Sequence, residues 1–359
     1  MPGLLYRSDM DAVRRRLTAW WHGEDLGRPA LQITAPREAP LERVRQMETP
    51  EGVRCARYST VSFEHRVNLS ARSCINTHYM GEAVPTVAPD LGPNCLALYL
   101  GSTAVEGENT VWFEPCIQEP HEAEFTTDRG NFYWQFTLRL AREQLRLGDG
   151  KFLVAYPDLI EGLDTLAAMR GTERLLIDLM ERPQWVNESL RAVTDRYFYY
   201  YDVLYDMFRD AMGGTHWWIW APGRTIKLQC DFSAMIGPAM FAEFMVPVLT
   251  EMCERTAYPF YHLDGPCALQ HVDNLLGIER LRAVQWVPGG GAAPPAARKW
   301  WGLYRRILDA DKRVFTYLRG PEDLRALKRE FGPALQRFIF NIRADSPGEA
   351  QKLLREAEV

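Results

Sequence analysis

Strand-like and helix-like segments alternate along this chain, and that alternation limits the possible folds more than any other feature. Phe152-Leu153-Val154-Ala155-Tyr156 reads as a strand that exits into Pro157-Asp158. Pro183 to Phe208 keeps Trp185, Leu190, Val193, Tyr197, Tyr200, Leu204 and Phe208 at roughly helical spacing. Trp217 to Ala221 reads as a strand closed by Pro222-Gly223, Ile226 to Asp231 as a short strand, and Pro238 to Thr256 as a helix. Tyr258 to Tyr261 is the next strand, and its exit carries His262, Asp264 and Gly265. Pro266 suits the first turn of a following helix, where its missing N–H has no partner to lose. Leu281 to Val287 then makes a strand that leaves through Pro288-Gly289-Gly290-Gly291. A helix from Lys299 to Asp309, a strand from Arg313 to Leu318, a helix from Pro321 to Phe331, a strand from Arg337 to Ile342 and a helix from Pro347 to Glu356 complete the series.

About eight such repeats in roughly 330 residues, with no break in composition, predict an α/β fold: a single (β/α)8 TIM barrel whose parallel strands are wrapped by helices. Residues 1–27 form an N-terminal helical extension, capped near Ser8. Residues 74–130 are broken by Pro85, Pro89, Gly92, Pro93, Gly101, Gly107 and Pro115, and predict an irregular insertion or lid. Net charge is −5 and basic runs are short, so nothing points to a nucleic-acid surface. No apolar run approaches the ~18 residues of a membrane span. The N-terminus has acidic residues and no apolar signal core, which predicts a cytoplasmic protein. The 7 cysteines are odd in number and contain no CxxC, as expected of a reduced compartment rather than a disulfide framework.

Strand exits of parallel α/β proteins gather at one mouth. The exits here bring Asp158, Asp231, His262 and Asp264, which form a candidate catalytic set. Neighbouring carboxylates push one another's pKa values apart and so suit general acid–base work. The bland alternative is that Asp158 and Asp264 cap helices and Asp231 caps a turn. The same groups offer N and O donors for a divalent ion, with His262, Asp264 and Cys230 as candidate ligands. Cys230 and Asp231 alternate along a strand, so only one faces the mouth, and Asp231 is favoured. Cys267 and His271 share a helix face and make a weaker zinc set with His262. Trp218, Trp220, Gln229, Tyr261, Trp286, Gly289 and Tyr317 are candidate substrate-binding residues, the aromatics as pocket walls and Gly289 as close-approach backbone.

The run LQCDFSAMIGPAMFAEFMVPVLTEM (228–252) resembles the signature of the uroporphyrinogen decarboxylase superfamily. So do Gly171-Thr172-Glu173 with the following Leu175-Leu176-Ile177-Asp178-Leu179 and Pro183, and His262-Leu263-Asp264-Gly265. The resemblance covers about residues 150–350 and implies a (β/α)8 barrel. It also implies one of two activities: cofactor-free decarboxylation, or methyl transfer with zinc and a methylcobamide or thiol substrate. His262 falls where the methyltransferases of the superfamily place a zinc-binding His, and Asp264 where they place a Cys. The segment FIFNIRADS (338–346) lacks the second Cys of that pattern. The expectation is a divergent methyltransferase-like enzyme moving a one-carbon group to or from a small molecule. Zinc at the mouth, a corrinoid as methyl donor, a corrinoid protein as partner and a homodimer are compatible with it. Two alternatives stand beside it: a decarboxylase or lyase that needs no cofactor, and a non-catalytic ligand-binding barrel.

Overall fold

The structure is a computed structural model that describes residues 3–358. Its strands are β1 (Ala30–Pro36), β2 (Thr77–Gly81), β3 (Thr86–Val87), β4 (Thr103–Glu106), β5 (Val111–Glu114), β6 (Leu153–Val154) and β7 (Thr215–Trp217). They continue with β8 (Ile219–Ala221), β9 (Thr225–Leu228), β10 (Tyr258–Asp264), β11 (Ala283–Val287), β12 (Arg313–Leu318) and β13 (Phe338–Arg343). Seven strands form one sheet in the order β2-β1-β13-β12-β11-β10-β9. Every neighbouring pair in it is parallel except β1–β2, which is antiparallel. β3 and β6 pair in parallel beside this sheet, while β4–β5 and β7–β8 are antiparallel hairpins. The architecture is mixed α/β with a mainly parallel sheet, and helices fill the connections as the alternation predicts.

Helix Pro183–Phe208 forms over the residues whose spacing announced it, with proline in its first turn. Its buried face carries Val186, Leu190, Val193, Tyr197, Tyr201 and Leu204. That face also sets the position of the hairpin and of β9. Tyr156 stacks between Tyr201, at 5.0 Å between ring centroids, and Trp217, at 4.9 Å. The Tyr201 hydroxyl donates to the Thr225 carbonyl at 2.8 Å. The N-terminal helix Met10–His22 packs Trp20 and Trp21 into the core near the starts of β10 and β12, and Trp21 Nε1 donates to the Trp220 carbonyl at 3.0 Å.

Two local expectations are corrected. Trp217–Ala221 is not one strand: the chain reverses at Trp218, so that Trp217 pairs with Ile219 and His216 with Trp220. Trp218 holds φ 57, in the left-handed region. Gly214 makes the reversal fit, because a Cβ there would stand 2.3 Å from the Trp220 ring. A run of apolar residues looks the same whether it continues or doubles back, which is why periodicity missed it. The segment after Pro266 is mostly a 3-10 turn, Pro266–His271, followed by the short helix Val272–Leu276.

Candidate active site

β9 and the residues after it place the chemistry. Alternation sends Lys227, Gln229 and Asp231 to one side and Ile226, Leu228 and Cys230 to the other. The three polar side chains form a chain of contacts. Lys227 Nζ donates to Gln229 Oε1 at 2.5 Å, and Gln229 Nε2 donates to Asp231 Oδ2 at 3.4 Å. Lys227 is fully buried and forms an ion pair with Asp158 Oδ1 at 2.6 Å. Its Nζ also lies 5.3 Å from the centroid of the Trp218 ring, a cation–π distance.

Carboxyl groups crowd around this ammonium. Asp90 Oδ1 accepts the Asp158 backbone N–H at 2.5 Å. Glu161 is buried; one of its oxygens accepts the Gln229 N–H at 2.6 Å and the other has no hydrogen-bond partner. Asp164 accepts the backbone N–H groups of Asp231 and Phe232, each at 2.8 Å, and so fixes the turn that carries Asp231. Burial raises the pKa of all of these carboxyls, and Lys227 pulls down those of Asp158, Glu161 and Asp164. Asp90 is pushed up to about 7 by burial and by Asp158. Asp231 is also raised to about 7, by burial and then by Asp164 and Asp264. Because the Asp231 residue as a whole is exposed, the crowding of like charges is the sturdier cause.

His262 sits across the sheet on β10, in register with Gln285 of β11. The two side chains meet, His262 Nδ1 to Gln285 Oε1, at 2.5 Å. With the amide oxygen as acceptor, Nδ1 carries the proton and Nε2 keeps its lone pair. Burial, then the Lys227 charge, lower the His262 pKa to about 4, so the ring is neutral at neutral pH. Nε2 lies 3.9 Å from Asp264 Oδ2, and the Trp218 ring stands edge-on to the imidazole at 5.3 Å.

Two cavities open on this machinery. A mouth cavity of about 710 Å³ is lined by Trp218, His262, Gln285 and Tyr317 together with residues of β1 and β13. A side cavity of about 570 Å³ is lined by Gln229, Asp231 and Asp164 at one end and by Trp112 and Phe113 of the β4–β5 hairpin at the other. The remaining sequence candidates lie elsewhere. Trp220 is buried beside the N-terminal helix, and Trp286 packs on Trp300 with ring centroids 4.9 Å apart. Tyr261 is buried in the core. Gly289, at φ 78, brings its loop against Gly265, whose Cα is 4.0 Å from where a Gly289 Cβ would stand.

Sequence reasoning passed over Lys227, Asp90, Glu161, Asp164, Gln285 and His216. Lys227 was within reach, since the alternation that selects Asp231 over Cys230 selects Lys227 as well. Gln285 needed the register of β10 against β11, which a single sequence does not carry.

The donors do not assemble the zinc set that was expected. Cys230 is buried on the opposite side of β9, and burial pushes its thiol well above the ordinary value. Cys267 is exposed, while His271 is buried, with Nε2 on the Ser233 carbonyl at 2.9 Å and its ring on Phe241. Among the described residues no group of three or more His, Cys, Asp and Glu side chains is placed to hold a metal ion. His262 and Asp264 therefore stand as an N/O pair, without the third ligand that a zinc centre needs.

No protein-family model matches the sequence, and no curated protein sequence matches it. Among solved structures, a methyltransferase from Methanosarcina mazei is similar over 96% of this chain and 98% of its own length. The TM-score is 0.59 and the identity 12%. At that identity the likeness establishes a shared fold. Among the described residues no helix is long and apolar enough to cross a membrane.

Proposed function

We propose that this protein is a methyltransferase-like enzyme that moves a one-carbon group to or from a small organic molecule, with acid–base chemistry supplied by the Lys227 cluster. The observation that carries the reading is a carboxyl poised near neutral pKa, Asp231, at the end of a polar chain anchored on a buried ammonium. Its setting is a (β/α)8 barrel. β1, β3, β6, β9, β10, β11, β12 and β13 supply the staves, and the β7–β8 hairpin is wedged between β6 and β9. Backbone bonds across the open side support that closure. Glu82 N–H donates to the Leu31 carbonyl, Leu153 N–H to Pro85, Ala155 N–H to Val87, and Tyr156 N–H to His216. The β4–β5 hairpin serves as the lid over the side cavity, with the exposed Trp112 at its edge.

In the proposed step Asp231 takes the proton of an acceptor thiol or hydroxyl. The freed lone pair forms the new bond to the methyl carbon, and the donor's leaving group departs with the electrons of the broken bond. Lys227, held on Asp158 and Gln229, favours the charged form of Asp158, while the crowding of like charges keeps Asp231 protonatable near neutral pH. Neutral His262, fixed by Gln285, offers its Nε2 lone pair as a hydrogen-bond acceptor to the substrate. The gathering of Asp158, Asp231 and His262 about one ammonium, with Asp264 beside His262, weighs against an inert ligand-binding barrel.

The same protonatable Asp231 also supports a second reading, a decarboxylase or lyase that needs no cofactor. There the acid form would deliver its proton to a carbanion as CO2 leaves. One experiment separates the two. Purified protein is incubated with 13C-methylcobalamin and 2-mercaptoethanol and followed by 13C NMR. Growth of an S–methyl resonance above the protein-free rate supports methyl transfer, and its absence across small thiols and phenols removes it. Release of CO2 from a carboxylated test compound would favour the second reading.

A further inference from the structure

The mouth and side cavities differ in charge. The side cavity carries Asp164 and Asp231. The mouth cavity has no carboxylate in its lining; its one formally charged side chain is Arg343, at the end of β13. Arg343 is exposed, and among the described residues it has no ion-pair or hydrogen-bond partner. Almost every other arginine near a strand end here is engaged: Arg313, for example, is bonded to the Trp20 carbonyl and Arg337 to Asp311. Across the same cavity lies His216 of β7, a residue only 6% exposed whose Nδ1 has no hydrogen-bond partner. That nitrogen is closed off from the cavity, so His216 contributes its ring to the wall. Burial lowers the His216 pKa to about 3, which leaves a neutral imidazole there. The walls between Arg343 and His216 are flat and mostly uncharged: Trp218, Tyr79 and Tyr317, with the Gln32 and Asn341 amides already bonded to each other at 2.8 Å.

We infer that the mouth cavity binds a planar organic carboxylate, whose anionic end is held by the Arg343 guanidinium and whose body lies between the aromatic walls and against the neutral His216 ring. The guanidinium fork fits a carboxylate bidentately, and no acidic side chain in the lining competes for it. The charge contrast also assigns roles. The anionic partner sits at the mouth beside Trp218 and His262, and the group that loses its proton to Asp231 enters from the side cavity. The division of roles between the two cavities rests on the one-carbon reading. The binding itself is measured without turnover, so failure of one is distinguishable from failure of the other.

The test uses the full chain, with benzoate and its neutral analogue benzamide as probes, and isothermal titration with competition NMR as the readout. Benzoate is expected to bind about tenfold tighter than benzamide, the size of one charge-assisted contact. R343Q, at an exposed position that does not bear on folding, is expected to bring the two affinities together. H216L is expected to weaken both probes while keeping the preference for benzoate. Equal affinity of the two probes for the wild-type protein, no binding of benzoate, or a benzoate preference that survives R343Q would each overturn the assignment.

Discussion

Replacing Lys227 by methionine removes the ammonium at the centre of the site and leaves the Asp158 carboxylate without its counter-ion. Removing one partner of a buried ion pair costs about 3–5 kcal/mol. The Lys227 side chain is 0% exposed but that of Asp158 is 23% exposed, so water screens part of the loss and the lower end applies, about 3 kcal/mol. For a chain of 359 residues, an unfolding entropy of ~2.1 cal/mol/K per residue converts this into a fall in Tm of about 4 °C. The pH dependence is the sharper signature. The Asp158 pKa is already raised in the folded protein, and Lys227 is what restrains it. A carboxyl whose folded pKa lies above its unfolded value stabilises the fold most when protonated. That stability is lost as pH rises from the ordinary 3.8 through the folded value. Without Lys227 the folded pKa rises further, so K227M loses more at pH 8 than at pH 5, by about 1.4 kcal/mol for each unit of further rise. Differential scanning calorimetry of wild type and K227M at both pH values measures this. Adding D158N to K227M removes the stranded charge and recovers most of the loss at pH 8. An equal loss at pH 5 and pH 8, or a double variant no better than K227M, would refute the ion pair as the organising contact.

Other expectations follow from the same geometry. W218G relieves a left-handed backbone costing about 1–2 kcal/mol but forfeits the packing of a ring that is only partly buried, so stability by chemical denaturation changes little while activity falls. Q285L removes the partner of His262 Nδ1 and lowers stability by about 1 kcal/mol. It also frees the imidazole to exchange tautomers, visible in the 15N shifts of the ring. C230S, buried behind β9, lowers stability by about 1–3 kcal/mol and leaves turnover per folded molecule unchanged. A loss of activity together with loss of bound metal, read by elemental analysis, would instead bring Cys230 into a metal site.

Much of the architecture was legible because helices and buried strands write their periods into the chain. Pro183–Phe208 and Arg313–Leu318 appear over the residues that announced them. The reversal at Trp218 was not legible, since it depends on Gly214 and Trp220 meeting across the turn. In the site, alternation placed Asp231 and Cys230 on opposite sides of β9, and proximity at a strand exit joined His262 to Asp264. What could not be read was contact between segments far apart in sequence. Asp90 reaches Asp158 across 68 positions, and Glu161 reaches Gln229 across another 68. No local pattern marks such pairs, and they turn a set of separate aspartates into one coupled cluster around Lys227.

The central claim is that Asp231 acts as the base in a one-carbon transfer, and the pH dependence of the single-turnover methyl-transfer rate, measured for wild type and D231N, tests it most directly. Because the base must be deprotonated, the wild-type rate is predicted to rise with pH through a midpoint near the pKa of about 7 of that carboxyl. D231N is predicted to lose about a hundredfold or more in rate, together with that limb of the profile. A D231N enzyme that keeps both the rate and the midpoint of the wild type would contradict the account.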